Sequence, residues 1–266
     1  MYGRVVLEGP HERSPSAAPL SWSAPYTPAP MADATPTTIS VVIPVHNEAD
    51  YLPGALPALF AELADVPASV SVLIAENGST DGTADAVRSL MGEYESLGLL
   101  QLPDPDYGAA MRSGFLASEG EWVVNFDIDY FSGAFLRTVL DVADRADLVL
   151  ASKRAAGADD RRGPTRRLAT WTFNQILRFV LSSGVSDTHG MKAVRRVVVD
   201  EIAPVVISTQ DLFDTELVVR AERAGYRIVE VPAVVEEKRT AKSSLAKRVP
   251  RTLRGVWRIR GNLTAR

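Results

Sequence analysis

Six short runs of β-branched and aliphatic residues alternate with longer stretches whose apolar positions recur at helical spacing, and this alternation constrains the chain more than any other feature. The short runs are Ile39–Val45, Ser69–Ala75, Leu97–Leu102, Glu121–Phe126, Leu148–Ser152 and Arg227–Val231. The helical stretches are Ala49–Ala64, Thr83–Tyr94, Ala109–Ser118, Phe135–Ala143, Thr165–Leu181 and Asp214–Ala224. Strand, helix and strand in that order predict an α/β fold, a mainly parallel sheet with helices on both faces in a single domain. In such sheets ligands bind beyond the carboxyl ends of the strands.

Three of those ends carry polar residues that suit ligand chemistry. Pro44, His46, Asn47 and Glu48 follow the first run, Glu76 to Thr83 follow the second, and Asp127-Ile128-Asp129 follow the fourth. Two carboxylates leaving a buried strand in near register can bind a divalent cation through oxygen, and such a cation commonly bridges a diphosphate. Each motif alone has an ordinary explanation. Asn77-Gly78 and Asp81-Gly82 supply turn chemistry, and Glu48 is an acid favoured by the dipole of a following helix. Glu76 is harder to explain away, because a carboxylate at a strand end can accept hydrogen bonds from a nucleobase edge. Convergence of three such loops on one sheet edge is the physical argument that they line one crevice.

The 266 residues and 46% hydrophobic content suffice for one domain of ordinary size with appendages. Zero cysteines exclude a disulfide framework and Cys-ligated metal, and permit a reducing compartment. No apolar run reaches the roughly 18 to 20 residues that span a bilayer. The expectation is a soluble or peripheral protein, cytoplasmic and at the inner face of the membrane. Residues 1–36 are rich in Pro, Ser and Ala and read as a disordered leader without a signal-peptide pattern, with Met31 an alternative start. Residues 37–237 are expected to hold the domain and 238–266 a basic tail. That tail has ten Lys and Arg and no acid, so the net charge of -4 divides into about +10 there and about -14 elsewhere. Val249, Leu253, Val256, Trp257 and Leu263 fall near helical spacing among its charges. A basic amphipathic helix with Trp suits an anionic membrane surface, and a terminal helix packed on the domain suits the same pattern. Nucleic acid is a poor partner for this chain, since the body is acidic and has no stacking-aromatic pattern.

In their order, the motifs resemble the family 2 glycosyltransferases of GT-A (Rossmann-like) fold, and among them the dolichol-phosphate mannose synthase-like branch. The resemblance runs from about Ile39 to Leu245. It rests on Val42 to Glu48, Gly78 to Thr83, Gly108-Ala109-Ala110-Met111-Arg112-Ser113-Gly114, Asp127-Ile128-Asp129, Asp187 to Lys192, Glu216-Leu217 and Gly225 to Pro232. It implies an inverting, metal-dependent enzyme that transfers a sugar from a nucleotide diphosphate to a polyprenyl or dolichyl phosphate. GDP-mannose is the favoured donor and UDP-glucose the next. By similarity Pro44, His46 and Glu48 contact the nucleoside, Glu76 and Asn77 lie near the base, and Asp127 and Asp129 hold Mg2+ or Mn2+. Arg112 is a charge partner for phosphate, while Ser152, Lys153 and Arg239 meet the acceptor phosphate. Arg154, Arg161, Arg162, Arg166, Arg167 and Lys242 are further basic residues in these regions.

The chemistry is consistent from first principles. Breaking the anomeric bond leaves negative charge on the departing diphosphate, which a cation and fixed Arg or Lys groups stabilise as it develops. A lipid phosphate is already ionised and needs no general base. A soluble hydroxyl acceptor, such as a metabolite or polysaccharide, needs one, for which Asp187, Asp214 and Glu216 are candidates. A catalytically silent scaffold at a membrane complex is the reading from another class. The chain departs from the pattern at Glu76-Asn77, where relatives carry two Asp, at His46 for Tyr, and at Phe131 for Gln. The segment Arg239 to Leu245 keeps the Arg but lacks the expected Gly and final Lys.

Overall fold

The computed structural model describes residues 37–153, 155, 159–160, 164–186, 188, 190–235 and 245–264. Its first half is the expected alternation: β1 (Thr38–Val45), α1 (Leu52–Leu63), β2 (Ser69–Asn77), α2 (Thr83–Met91), β3 (Leu97–Leu102), α3 (Tyr107–Ala117), β4 (Trp122–Asn125) and α4 (Gly133–Asp141). There follow β5 (Leu148–Ser152), β6 (Asp159–Asp160), α5 (Pro164–Leu181), β7 (Lys192–Arg195), α6 (Arg196–Ile202), α7 (Phe213–Arg223), β8 (Ile228–Pro232), β9 (Val234–Val235) and α8 (Leu245–Thr264). Short 3-10 turns at Ala203–Val205 and Gln210–Leu212 lead into α7.

Seven strands form one sheet in the order β3-β2-β1-β4-β7-β5-β8. Every pairing in it is parallel except the two made by β7, which runs antiparallel between β4 and β5. The strand order reverses at β1, with β2 on one side and β4 on the other, and such a switch point is where an open α/β sheet leaves a crevice. β6 and β9 make a separate two-stranded parallel pair.

The pleat of two explains why both faces are apolar. Ile39, Val41, Ile43 and Val45 of β1, with Trp122 and Val124 of β4, enter a core closed by Leu52, Leu56 and Leu59 of α1 and Leu136 and Val139 of α4. Val42, Val123, Leu148, Leu150 and Val194 face the other way, onto Met111 and Phe115 of α3, Val198 and Val199 of α6 and Leu217 and Val218 of α7. A third, smaller cluster joins Leu177 and Leu181 of α5, Leu212, Val219 of α7, and Val256 and Ile259 of α8. Two of the stripe positions in the basic tail, Val256 and Leu263, therefore pack onto the body while Trp257 stays outside.

The expected strands agree with the structure to within two residues, and Leu97–Leu102 and Leu148–Ser152 coincide with it. Helix starts differ by up to three residues, and two of the differences have clear local reasons. α1 begins at Leu52 rather than Ala49, because residues 46–49 are held in a loop by side-chain bonds and Asn47 has a left-handed backbone (φ 55°). α3 begins at Tyr107 rather than Ala109, because the Asp106 carboxylate accepts from the Ala109 N–H at 3.0 Å and caps the helix there. β6, β7, β9 and α6 were not expected from the sequence.

Gly78 shows how closely the second loop is packed. Its φ is 66°, and a Cβ there would stand 2.8 Å from backbone atoms of Asp104 and Pro105. Gly78→Ala is expected to lower the unfolding free energy by about 2 kcal/mol, from left-handed strain and the forced retreat of the 103–105 backbone. Urea unfolding checks this, and an unchanged midpoint refutes it.

Candidate active site

The loops after β1 and β2 are stitched to each other. His46 Nδ1 donates to the Asn77 carbonyl at 2.8 Å, which leaves Nε2 to accept from the Asn47 amide at 3.1 Å. The Asn47 N–H reaches Ser79 Oγ at 2.9 Å, and the Thr80 N–H returns to Asn47 Oδ1 at 2.9 Å. The Glu48 N–H donates to Thr83 Oγ1 at 2.9 Å and the Ala49 N–H to Asp81 Oδ2 at 3.1 Å. Hydrogen bonds from Thr83 and Ala49 hold the Asp81 carboxyl below its ordinary pKa. Pro44, His46, Glu48, Glu76 and Asn77 are thus brought together at one rim.

Glu76 is buried at the end of β2. One carboxylate oxygen accepts from the Ser79 N–H at 2.5 Å, and the other from Gln101 Nε2 at 3.3 Å. Gln101 in turn accepts from Arg88, which α2 extends over the end of β3. Gln101 and Arg88 were missed in the sequence. The available signal was a polar Gln inside the apolar run Leu97–Leu102.

Across the switch point, β4 delivers the paired carboxylates. The Phe126 N–H still bonds to the Val42 carbonyl at 3.1 Å, and the chain then turns tightly, with Asp127 and Tyr130 exchanging backbone hydrogen bonds at 3.2 and 2.9 Å. Ile128 points into the core, so Asp127 and Asp129 are left on the rim. Phe131 packs against the same core. Asp127 is exposed to solvent. Loss of hydration, then the charges of Asp214 and Asp129, push its carboxyl up to about 6, while Lys192 and Lys153 oppose the rise. The charge of Lys153 is therefore within electrostatic reach of Asp127.

Beneath them lies a buried ion pair. Lys192 Nζ stands 2.9 Å from Asp214 Oδ1, and Asp214 Oδ2 accepts from the Tyr107 hydroxyl at 2.9 Å. Glu216 is equally buried but is spent on structure, accepting from the Ile207 and Ser208 N–H groups and from Arg220 at 2.7 Å. Ser152 is fully buried, and its hydroxyl lies 2.7 Å from that of Ser186. Since the Ser186 hydroxyl donates to Glu230, it is left to accept from Ser152, which therefore donates inward.

Arg112 lies on α3 (Tyr107–Ala117). It is exposed on α3, beside buried Met111, without a hydrogen bond or ion pair to the described residues. Arg154, Arg161, Arg162, Asp187, Arg239 and Lys242 lie outside the described residues, as do the side chains of Arg166 and Arg167.

No set of three or more His, Asp or Glu side chains among the described residues converges to hold a metal. Two neighbouring carboxylates, Asp127 and Asp129, suit Mg2+ or Mn2+ when phosphates and water complete the oxygen shell.

The model of glycosyl transferase family 2 matches residues 40–203. The polyprenol monophosphomannose synthase of Mycolicibacterium smegmatis is 30% identical over 246 residues, covering 84% of this chain and 88% of that protein. Glycosyltransferase AglD of Haloferax volcanii is 28% identical over 245 residues, 86% of this chain, and this chain spans only 38% of its length. A crystal structure of glucosyl-3-phosphoglycerate synthase from Mycobacterium tuberculosis, in complex with Mn2+, UDP-glucose and phosphoglyceric acid, matches with a TM-score of 0.63 at 18% identity, over 85% of this chain and 80% of that one. At that identity the likeness speaks for the fold.

The raised pKa of Asp127 has a signed consequence. A carboxyl near 6 in the folded chain and near 3.8 when unfolded makes the folded state the better proton binder between those values. The stability this group contributes is present at low pH and lost as pH rises through about 6. In chelator, Asp127→Asn should melt above the wild type at about pH 7.5 and together with it near pH 4, by scanning calorimetry. Equal melting at both pH values refutes the assignment.

Proposed function

Since the chain belongs to glycosyltransferase family 2, on the dolichol-phosphate mannose synthase-like side of it, we propose that it transfers a sugar, mannose in preference, from a nucleotide diphosphate to a polyprenyl phosphate. The observation that carries this reading is that Asp127 leaves β4 at the switch point within electrostatic reach of Asp129 and Lys153, beside the interlocked loops after β1 and β2. Asp127 and Asp129 would hold Mg2+ or Mn2+, which when bound supplies positive charge to the diphosphate. Pro44, His46, Glu48, Glu76 and Asn77 line the nucleoside side. GDP is the favoured nucleotide, with UDP next. Glu76 keeps lone pairs beyond its bonds to Ser79 and Gln101, and these suit the N–H edge of either base.

The acceptor side supports a phosphate over a hydroxyl. A hydroxyl must lose its proton, and both described candidates for the base are committed, Glu216 to a loop backbone and Asp214 to Lys192 and Tyr107. A phosphate oxygen needs no base. It needs cations, and the charge of Lys153 is within electrostatic reach of Asp127, with Arg239 proposed from the motif. Inversion follows from direct attack of that oxygen on the face opposite the departing diphosphate.

A lipid acceptor requires approach to a membrane, and no helix among the described residues is long and apolar enough to cross one. We infer that α8 lies on an anionic surface at the cytoplasmic face. Trp257 is 60% exposed on it and is covered on one side by the Arg260 guanidinium, with Arg254 and Arg258 exposed nearby. Trp171 and Phe179 of α5 are exposed as well, at 46% and 81%.

The acceptor is tested with Mg2+ or Mn2+ and a panel of radiolabelled nucleotide sugars, with and without polyprenyl phosphate, followed by partition into organic solvent. Lipid-dependent label in the organic phase is expected. Transfer confined to water-soluble acceptors overturns the lipid assignment. Asp129→Ala should abolish metal-dependent turnover while leaving the melting temperature near that of wild type, and full activity in this variant removes the metal assignment. For the membrane contact, deleting α8 would uncover Leu177, Leu181 and Leu212, so point changes are cleaner. Arg254→Gln with Trp257→Ser should weaken sedimentation with phosphatidylglycerol vesicles by about tenfold, given ~1 kcal/mol per surface cation and the loss of an interfacial aromatic. Unchanged sedimentation refutes the contact.

A further inference from the structure

We propose that Lys192 is a positioning residue for the diphosphate end of this site, fixing the strand end that carries Asp127 and Asp129 to the amino ends of α3 and α7. The proposal rests on the metal and diphosphate reading above and adds a residue that does not itself meet the substrate.

Lys192 is the first residue of β7, the strand that runs against the others. Its registers are Asn125 on β4 and Leu150 on β5, so a strand beginning here sits among strand ends. It shares a face with Val194, toward α3 and α7. A lysine at such a place is expensive to bury unless each proton finds an acceptor. Two protons go to Asn125 Oδ1 and the Gly190 carbonyl, each at 3.0 Å, and the charge itself is met by Asp214 Oδ1, an ion-pair partner 2.9 Å away. The Lys192 backbone N–H also donates to Asn125 Oδ1, at 3.2 Å. Through Asp214 the link extends to the Tyr107 hydroxyl at 2.9 Å.

One ammonium therefore gathers three pieces of chain, the last residue of β4, the segment entering β7 and the first turn of α7, and Asp214 adds the first residue of α3. A single residue, Phe126, separates Asn125 from Asp127, and it is tied to Val42. A shift at Asn125 is passed to the carboxylates with little slack. The side chain is completely buried, so Lys192 acts on the reaction through Asn125 and Asp214. An apolar side chain of like size would fill the same volume with no desolvation cost. What it would lack is directional attachment to Asn125, on which the placement of the carboxylates depends.

The test separates this role from bulk stability. Lys192→Met leaves the Asp214 charge buried without its partner and should melt well below wild type. The double variant Lys192→Met/Asp214→Asn removes both charges, keeps an amide for Tyr107, and should recover most of the melting temperature. Its Mn2+ affinity, read from the paramagnetic resonance of free Mn2+ without donor or acceptor, should nonetheless be weaker by about tenfold or more, as for loss of a supporting contact behind a metal ligand. kcat should fall with it, more than the donor KM rises. Wild-type Mn2+ affinity in the recovered double variant overturns the proposal and leaves the function reading intact. A wild-type chain that binds no Mn2+ sinks both. Tyr107→Phe removes a single hydroxyl at the far end of the link and serves should the double variant not fold. A lowered Mn2+ affinity supports the proposal and an unchanged one overturns it.

Discussion

A parallel sheet sends all its strands out at one edge, and the candidate site of this chain exists because of that constraint. β1 lies at the reversal of strand order, with β2 and β4 as neighbours of the same polarity. Loops from three adjacent strands leave side by side, and no long excursion is needed to bring Glu48, Glu76 and Asp127 to one rim. The buried faces of β1 and β4 leave the strands no freedom to slide, because a one-residue slip would turn Val41 and Ile43 onto the wrong core.

On that frame the two halves of the rim are built differently. The half formed by the loops after β1 and β2 is held by neutral or singly charged hydrogen bonds, most of them between one loop's backbone and the other's side chains. Such bonds fix a shape without concentrating charge, which suits recognition of a flat base and a ribose. The half formed after β4 concentrates charge. Loss of hydration, with the charges of Asp214 and Asp129 added to it, raises the protonation of Asp127. Surplus negative charge in a confined crevice is a standing demand for a cation. Lys192 and Lys153 meet that demand in part.

Much of this was legible in the sequence, and the exceptions have physical causes. The six principal strands and the paired carboxylates were visible because apolar periodicity and strand-end polarity are local signals. β7 was not visible, since four residues with charges at both ends, Lys192 and Arg195, carry too little apolar content to mark a strand. The roles of Asp214 and Glu216 were equally hidden. Sequence presents each as an acid free to act as a base, whereas α7 buries both and spends them on Lys192 and on the 207–208 backbone. Arg112, read from the family motif as a charge partner for phosphate, lies exposed on α3. For the tail, amphipathic spacing was read correctly as helix, but spacing alone does not say which apolar positions find a partner. Val256 does, against the α5 and α7 side chains, and Trp257 does not.

The reversed direction of β7 gives the cleft an unusual kind of access. Elsewhere on the rim, chemistry is presented by loops, where a change of length or sequence alters the walls. β7 instead begins at the rim and descends, so its first side chain enters the floor from within the sheet. Variation among enzymes of this architecture can then act at two depths, with loops adapting to new substrates while one strand-head position resets the charge balance underneath them.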